Sequence, residues 1–352
     1  MIHDIRLQNF RSYSDSTFEF GDGVNIVVGP NASGKTNLLE AILVLARGAS
    51  YRTKSINELV TFNKDWARLE AGTESGQRVL KLDNSHEPPT KTFEISSQTY
   101  RRLPLTKTVP VVLFEPEHLR LLNGQPERRR DYMDDILEQT ITGYGKLRRD
   151  YKRALAQRNS LLKKGLANQD QLFAWNMRLS ELGGQIANYR YQLAEKLNDQ
   201  MAQIYQKLSG SKLAVELKHT GQWPAKSYAS QLLKKLESST ELDYLRGFTA
   251  YGPHRDDMEI WLDGHPAAQA ASRGESRTLL LALKIIELKL LEEDRGHKPL
   301  LLLDDVFSEL DGRRRRYLTK FLKNYQTFIT TTDADIVVQH FMDKCTIIPT
   351  TR

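Results

Sequence analysis

Eight residues near the amino terminus, Gly29-Pro30-Asn31-Ala32-Ser33-Gly34-Lys35-Thr36, have types and spacing suited to gripping a polyphosphate. They fit G-x-x-x-x-G-K-[ST], in which glycines let successive backbone N–H groups turn toward phosphate oxygens. Lys35 adds a point charge for the β- and γ-phosphates, which gives it a catalytic role, and Thr36 offers a hydroxyl to Mg2+. Asn37 continues into a helix, and that helix presents its positive end to the nucleotide. A second constellation lies far downstream in "PLLLLDDVFSELD". Its leucine run suits a strand buried on both faces of a parallel sheet. Asp304 and Asp305 fall at the carboxyl end of that strand, where open α/β sheets bind ligands. Asp304 is expected to hold Mg2+, directly or through water, and Asp305 to act as general base toward the attacking water. Read alone, the same residues are a buried strand ending in a solvated turn.

A third stretch, "ASRGESRTLLLALKIIEL", opens another helix. Ser272 and Glu275 have capping-box spacing, which by itself describes a well-started helix. Gly274 in the first turn costs roughly 1 kcal/mol against alanine, a cost that makes sense if something must approach the backbone closely. One phosphate loop already serves its own chain. The second helix start is therefore expected to face the γ-phosphate held by another copy of the chain, across a two-fold interface.

These motifs need elements to position them. The first ~110 residues read as strands around one helix: "IHDIRLQNF", "STFEF", "GVNIVVG", "KTNLLEAILVLARG", "WARLEAGT", "RVLKL", "TFEISS" and "VPVVLF". Residues 117 to 240 are mostly helical and charged. Trp175, Leu179, Leu182, Ile186, Tyr189 and Leu193 recur at coiled-coil spacing, and the rhythm stutters at Leu197 and Met201 before Ile204 and Leu208. Gly183-Gly184 is expected to weaken this helix. Strand patterns return in "FTAYG", "DMEIWLDG", "KPLLLLDDVF", "YQTFITTTD" and "CTIIPT". The expectation is an α/β head split between 1–114 and 246–352, with a mostly helical arm domain at 115–245.

Composition narrows the function classes. The 352 residues carry a formal net charge of +7, and 39% are hydrophobic. No window approaches the ~20 uninterrupted apolar residues of a membrane span. The opening residues lack the basic and then apolar pattern of a signal peptide. A single cysteine, Cys345, leaves no intramolecular disulfide framework and fits a reducing compartment. The basic excess is either solubility or the mark of an anionic partner, DNA foremost. Arg128, Arg129, Arg130, Lys146, Arg149, Lys152 and Arg153 are the candidate DNA contacts. Lys146, Arg149 and Arg153 share one helical face, and a solvated charge run is the bland alternative. "GRRRR" (312 to 316) places cations at a helix start, where the dipole disfavours them, so an outside partner such as DNA or a dimer interface is expected.

Together the motifs resemble an ATP-binding-cassette ATPase head. "SRGE" is similar to its signature motif, "SELD" (Ser308 to Asp311) to its D-loop, and "ITTTD" with Thr332 and Asp333 to its switch strand. "LQNFRSY" is similar to the start of SMC-like DNA-repair ATPases. "GPHRDD", "VVLFEPEHLRLL" and "PERRRDYMD" together closely resemble the RecF family. That resemblance spans the chain. It implies a slow, DNA-stimulated ATPase using ATP and Mg2+, a homodimer formed on ATP, and binding to double-stranded DNA near single-strand/double-strand junctions. It also implies help in loading RecA together with RecO and RecR, in a bacterial cytoplasm at the nucleoid and with no membrane partner. By resemblance Ser272, Gly274, Glu275 and Arg277 face the partner's nucleotide, and Arg11 and Ser12 contact the chain's own. Glu275 replaces an expected glutamine, Asp333 a switch histidine, and Glu115 lies near the Q-loop position. An ABC-type subunit coupling ATP hydrolysis to a membrane partner is the competing reading, and an ATP-holding DNA scaffold that does not cleave is a third.

Overall fold

A computed structural model of the chain describes residues 1–164, 169–307, 310–333, 337–339, 341 and 345–350. In chain order the first elements are β1 (Ile2–Phe10), β2 (Tyr13–Glu19), β3 (Val24–Val28), α1 (Lys35–Arg47), β4 (Trp66–Thr73), β5 (Gly76–Asp83), β6 (Thr90–Ile95), β7 (Gln98–Tyr100) and β8 (Val111–Phe114). The middle holds α2 (Arg120–Asn123), α3 (Pro126–Thr140), α4 (Tyr144–Lys164), α5 (Gln169–Ser209), β9 (Val215–Thr220), α6 (Tyr228–Ser238) and α7 (Thr240–Arg246). Then come β10 (Asp257–Leu262), β11 (His265–Pro266), α8 (Ala267–Ala270), α9 (Arg273–Arg295), β12 (Leu300–Asp304), α10 (Gly312–Leu322), β13 (Thr327–Thr331) and β14 (Cys345–Pro349).

Packing divides the chain into two compact units, Met1–His118 with Leu288–Arg352, and Leu119–Glu287. The first unit holds two sheets. One is fully parallel, in the order β14-β3-β13-β12-β8. The other is antiparallel, in the order β2-β1-β4-β5-β6-β7. All five residues of β12 and of β13 are buried, as their unbroken apolar and threonine runs require of strands covered on both faces. In β1 and β4 apolar residues alternate inward, and Ile5, Leu7, Leu69 and Ala71 join the core beneath α1. The phosphate loop follows β3, and the aspartate pair ends β12 with β13 between them in the sheet. The sheet order therefore sets both motifs at the carboxyl edges of parallel strands separated only by β13.

The second unit is built on α5, whose 41 residues pack against α4, α6 and β9. Leu179, Leu182, Ile186, Leu193, Leu197, Met201, Ile204 and Leu208 are buried along its seam. Gly183 and Gly184 do not break the helix. A Cβ on Gly184 would lie 2.7 Å from Ala229 Cβ, and one on Gly183 would lie 2.9 Å from Leu232 Cδ2. The pair is there because α6 crosses against bare backbone.

The packing boundary falls after Glu287, whereas the sequence patterns put the head's return at 246. The physical reason is pairing. β10, from "DMEIWL", forms a three-stranded sheet with β9 and β11 instead of joining the head. "FTAYG" is not a strand. Thr249 is tied into the second unit by Asn159 and Arg158. Helix α9 continues from the second unit into the first.

Candidate nucleotide site

The loop between β3 and α1 is shaped by Gly34, which caps the helix with φ 103°, a left-handed value suited to glycine. Its carbonyl accepts from the Tyr13 hydroxyl at 3.1 Å, and burial pushes the Tyr13 phenol up to about 12. Ser33 is anchored from the far end of the chain: its hydroxyl lies 2.7 Å from that of Thr350, whose N–H donates to Val28 O. Lys35 Nζ donates to Gly29 O and Pro30 O at 2.7 and 2.8 Å, so the ammonium is held in the mouth of the loop. Helix α1 has no acidic residue in its first turn, which leaves its positive end available to an anion.

Asp304 meets this loop. Its Oδ1 accepts from Thr36 Oγ1 at 3.1 Å and from Thr330 Oγ1 at 2.8 Å, and its Oδ2 accepts from the Tyr51 hydroxyl at 3.3 Å. Burial, with the carboxylates of Asp304, Glu115 and Glu40, raises the Tyr51 phenol far above its ordinary value. Asp305 takes φ 54° just beyond the strand, and its N–H donates to Thr330 Oγ1 at 2.9 Å. Aspartate tolerates that conformation better than most residues, and the residue is exposed. Thr330 thus holds both acids. Thr331 Oγ1 closes a turn with Asp333, bonding its N–H and carbonyl, and Thr332 is exposed. Thr36 and Asp304 offer hard oxygens in contact, the donor type Mg2+ takes when water and phosphate supply its other ligands. Among the described residues no cluster of three or more His, Cys, Asp or Glu is arranged for a metal.

Several predicted residues have firm intrachain partners. Arg11 makes a bidentate pair with buried Glu40, at 2.9 and 2.7 Å, and Arg52 reaches the same carboxylate at 3.1 Å. Asn37 donates to Ser12 Oγ and accepts from Arg52. The expected nucleotide contact of Arg11 therefore competes with a part-buried ion pair. Ser308 lies outside the described residues. Asp311 caps α10, accepting from Arg314 N at 2.9 Å and pairing with the Arg314 guanidinium. Asp311 thereby offsets Arg314 at the cationic start of α10, Arg315 Nε donates to Phe307 O, and Arg313 and Arg316 are exposed.

In the second unit, Ser272 and Glu275 form a reciprocal capping box. Ser272 N donates to Glu275 Oε2 at 2.8 Å and Glu275 N to Ser272 Oγ at 3.2 Å. Those bonds hold the Glu275 carboxyl below its usual range. Ser272 is exposed, Gly274 and Arg277 are half-buried, and Gly274 O accepts from Thr278 Oγ1.

The candidate DNA contacts divide. Arg129 does not stand on the surface. Its guanidinium pairs bidentately with Asp257 at 2.8 and 2.7 Å and donates to Leu121 O and Gly124 O. Its charge organises the second unit and is not available to a phosphate backbone. Arg130 is half-buried and donates to Asp256 O, and Arg149 is half-buried. Arg128, Lys146, Lys152 and Arg153 are exposed, with Arg153 3.8 Å from Asp150. Sequence reasoning missed Tyr51, Thr330 and Thr350. Thr330 sat inside the recognised "ITTTD" stretch, and its position one strand from β12 is the signal that could have found it. Nothing local in the sequence marks Tyr51 or Thr350.

Comparison with known proteins fits this geometry. A sequence model of the RecF/RecN/SMC N-terminal domain matches residues 1–350. The chain is similar to the DNA replication and repair protein RecF of Heliobacterium modesticaldum, at 36% identity over 342 residues, covering 94% of this chain and 92% of the relative. With the corresponding protein of Acaryochloris marina identity is 34% over 363 residues, covering 99% and 96%. Among solved structures, that of the recombination mediator protein RecF-ATP in the RecFOR pathway superposes with TM-score 0.85 at 32% identity, covering 94% of this chain and 92% of that one. The Smc head bound to the C-winged helix domain of ScpA gives TM-score 0.56 at 16% identity, covering 100% and 94%, a likeness of fold alone.

Proposed function

This chain belongs to the RecF family of SMC-like, ABC-type ATPases, and from that premise we propose that it is an ATP-gated DNA-binding recombination mediator. One nucleotide is bound by the loop of one chain and by the Ser272 helix start of a second copy. Closure of the dimer creates the surface that holds double-stranded DNA near single-strand gaps, hydrolysis reopens it, and RecO, RecR and RecA act with it there. Its place is the bacterial cytoplasm, at the nucleoid. ATP comes to this chain from the RecF-ATP structure that it resembles.

The observation that carries the reading is the shared grip on Asp304 and Asp305 by Thr36 and Thr330 beside the phosphate loop. Lys35 draws charge from the β/γ-phosphates. Thr36 and Asp304 would hold Mg2+, which when bound neutralises charge on the phosphate oxygens. Asp305 orients the attacking water and accepts its proton. Its short side chain holds that water more loosely than a glutamate would, which suits a slow switch. The capping box supports a place for an acid in the signature stretch, because the Glu275 carboxylate is engaged by Ser272 N–H. ATP drives closure only as far as it binds the closed state better.

The transport-coupling alternative has less support. The relatives named above are DNA replication and repair proteins, and no described helix is long and apolar enough to cross a membrane. Duplex and gapped DNA binding with and without ATP, across a salt series, tests the proposal. Affinity is expected to rise with ATP and to fall steeply with salt, with little sequence preference. Equal binding with and without ATP would count against it.

A further inference from the structure

The "GPHRDD" stretch is not used by the nucleotide site, yet it lines a cavity of about 390 Å³ wholly inside the second unit. Three cations converge there. Arg130 donates only to a carbonyl, Asp256 O, at 2.8 Å. The Arg255 guanidinium lies 5.3 Å from the Phe248 ring centre. Lys152 is exposed at the rim. Among the described residues none of the three has a carboxylate at ion-pair distance.

The acids in the lining do not cancel them. Asp134 is taken by Arg190 at 2.9 Å and by Arg148 at 2.9 Å, and Asp131 by Arg148 at 3.1 Å. Glu127 remains, one carboxylate against three cations. His254 faces the same space in its neutral form. Its Nδ1 bonds the Tyr151 hydroxyl at 2.7 Å and its Nε2 bonds Thr249 O at 3.2 Å. A carbonyl only accepts, so Nε2 carries the proton and Tyr151 donates to Nδ1. Phe248 and Leu155 add apolar wall.

Unpaired cations gathered at a concave site with one apolar wall fit a phosphoryl group carrying a flat, partly apolar body. We propose that this cavity is a second phosphate site, distinct from the phosphate loop, which takes a nucleoside monophosphate through Arg130, Lys152 and Arg255. The same phosphoryl chemistry could be presented by a free nucleotide or by a nucleotide within a single strand. The proposal does not depend on ATP-driven dimerisation.

The test uses the full chain carrying Lys35→Ala, so that the phosphate loop does not obscure the result. AMP is titrated by calorimetry, with inorganic phosphate and adenosine in parallel. AMP is expected to bind, adenosine not, and inorganic phosphate to compete with AMP. Adding Lys152→Glu and Arg255→Glu, both exposed, is expected to weaken AMP at least about tenfold with the circular dichroism spectrum unchanged. A short oligothymidylate separates the sources: displacement of AMP assigns the site to a strand, and its absence assigns it to free nucleotide. Failure of both AMP and phosphate to bind, or equal AMP affinity in the double-charge variant, overturns the site.

Discussion

At the residue scale the site turns on one threonine. Thr330 Oγ1 donates to Asp304 Oδ1 and accepts from Asp305 N, so a single hydroxyl fixes the proposed metal-supporting acid and the proposed base together. Thr330→Val keeps the shape of the side chain and removes both bonds. A hydrogen bond to a charged group is worth about 1.5–3 kcal/mol, so ATP turnover is expected to fall about tenfold or more while ATP affinity changes little. Asp305→Asn is expected to abolish phosphate release and keep ATP binding, and undiminished release would remove Asp305 as base. His254 supplies a pH dependence. Burial first, then the nearby Arg255, Arg130 and Arg190, lower its pKa from 6.5 to about 4. The folded state resists protonation of a group that the unfolded chain protonates below about 6.5. The stabilisation is therefore complete above pH 6.5 and is lost as pH falls toward 4, by roughly 3 kcal/mol for a shift of this size. Melting temperature measured from pH 7.5 to 4.5 is expected to drop less in His254→Gln than in the parent, and matching slopes would contradict the assignment. The phosphate loop and the aspartate pair were legible in the sequence because their chemistry fixes residue types at fixed spacing. Thr330 and Tyr51 were not, since their roles arise from strand order and a long loop.

At the element scale the packing of α5 on α6 shows why local propensity misleads. Gly183-Gly184 reads as a weakness in an isolated helix, but the helix is continuous because α6 occupies the space of the missing side chains. Gly184→Leu forces that contact apart and is expected to cost about 1–3 kcal/mol by overpacking, visible as a lower denaturation midpoint. A variant as stable as the parent would mean the helices can separate freely. The same lesson covers β10. Its alternating pattern correctly marks a strand, but pattern alone does not choose between sheets, and pairing with β9 draws residues 246–287 into the second unit. The basic run in α3 and α4 divides for a similar reason. Arg129 and Arg148 pair with Asp257, and with Asp131, Asp134 and Glu138, and only tertiary structure brings those acids close.

At the scale of the whole molecule, two units meet two needs. The first provides a parallel sheet whose order puts the phosphate loop and the acid pair side by side. The second provides the start of α9, where the capping box of Ser272 and Glu275 leaves Ser272 exposed. The most direct measurement of the account is the mass of the 40.4 kDa chain by light scattering, with and without ATP and Mg2+. The parent is expected to double in mass on ATP, and Ser272→Arg to stay monomeric while binding ATP normally. A parent that stays monomeric at saturating ATP, or a Ser272→Arg protein that dimerises as the parent does, would contradict it.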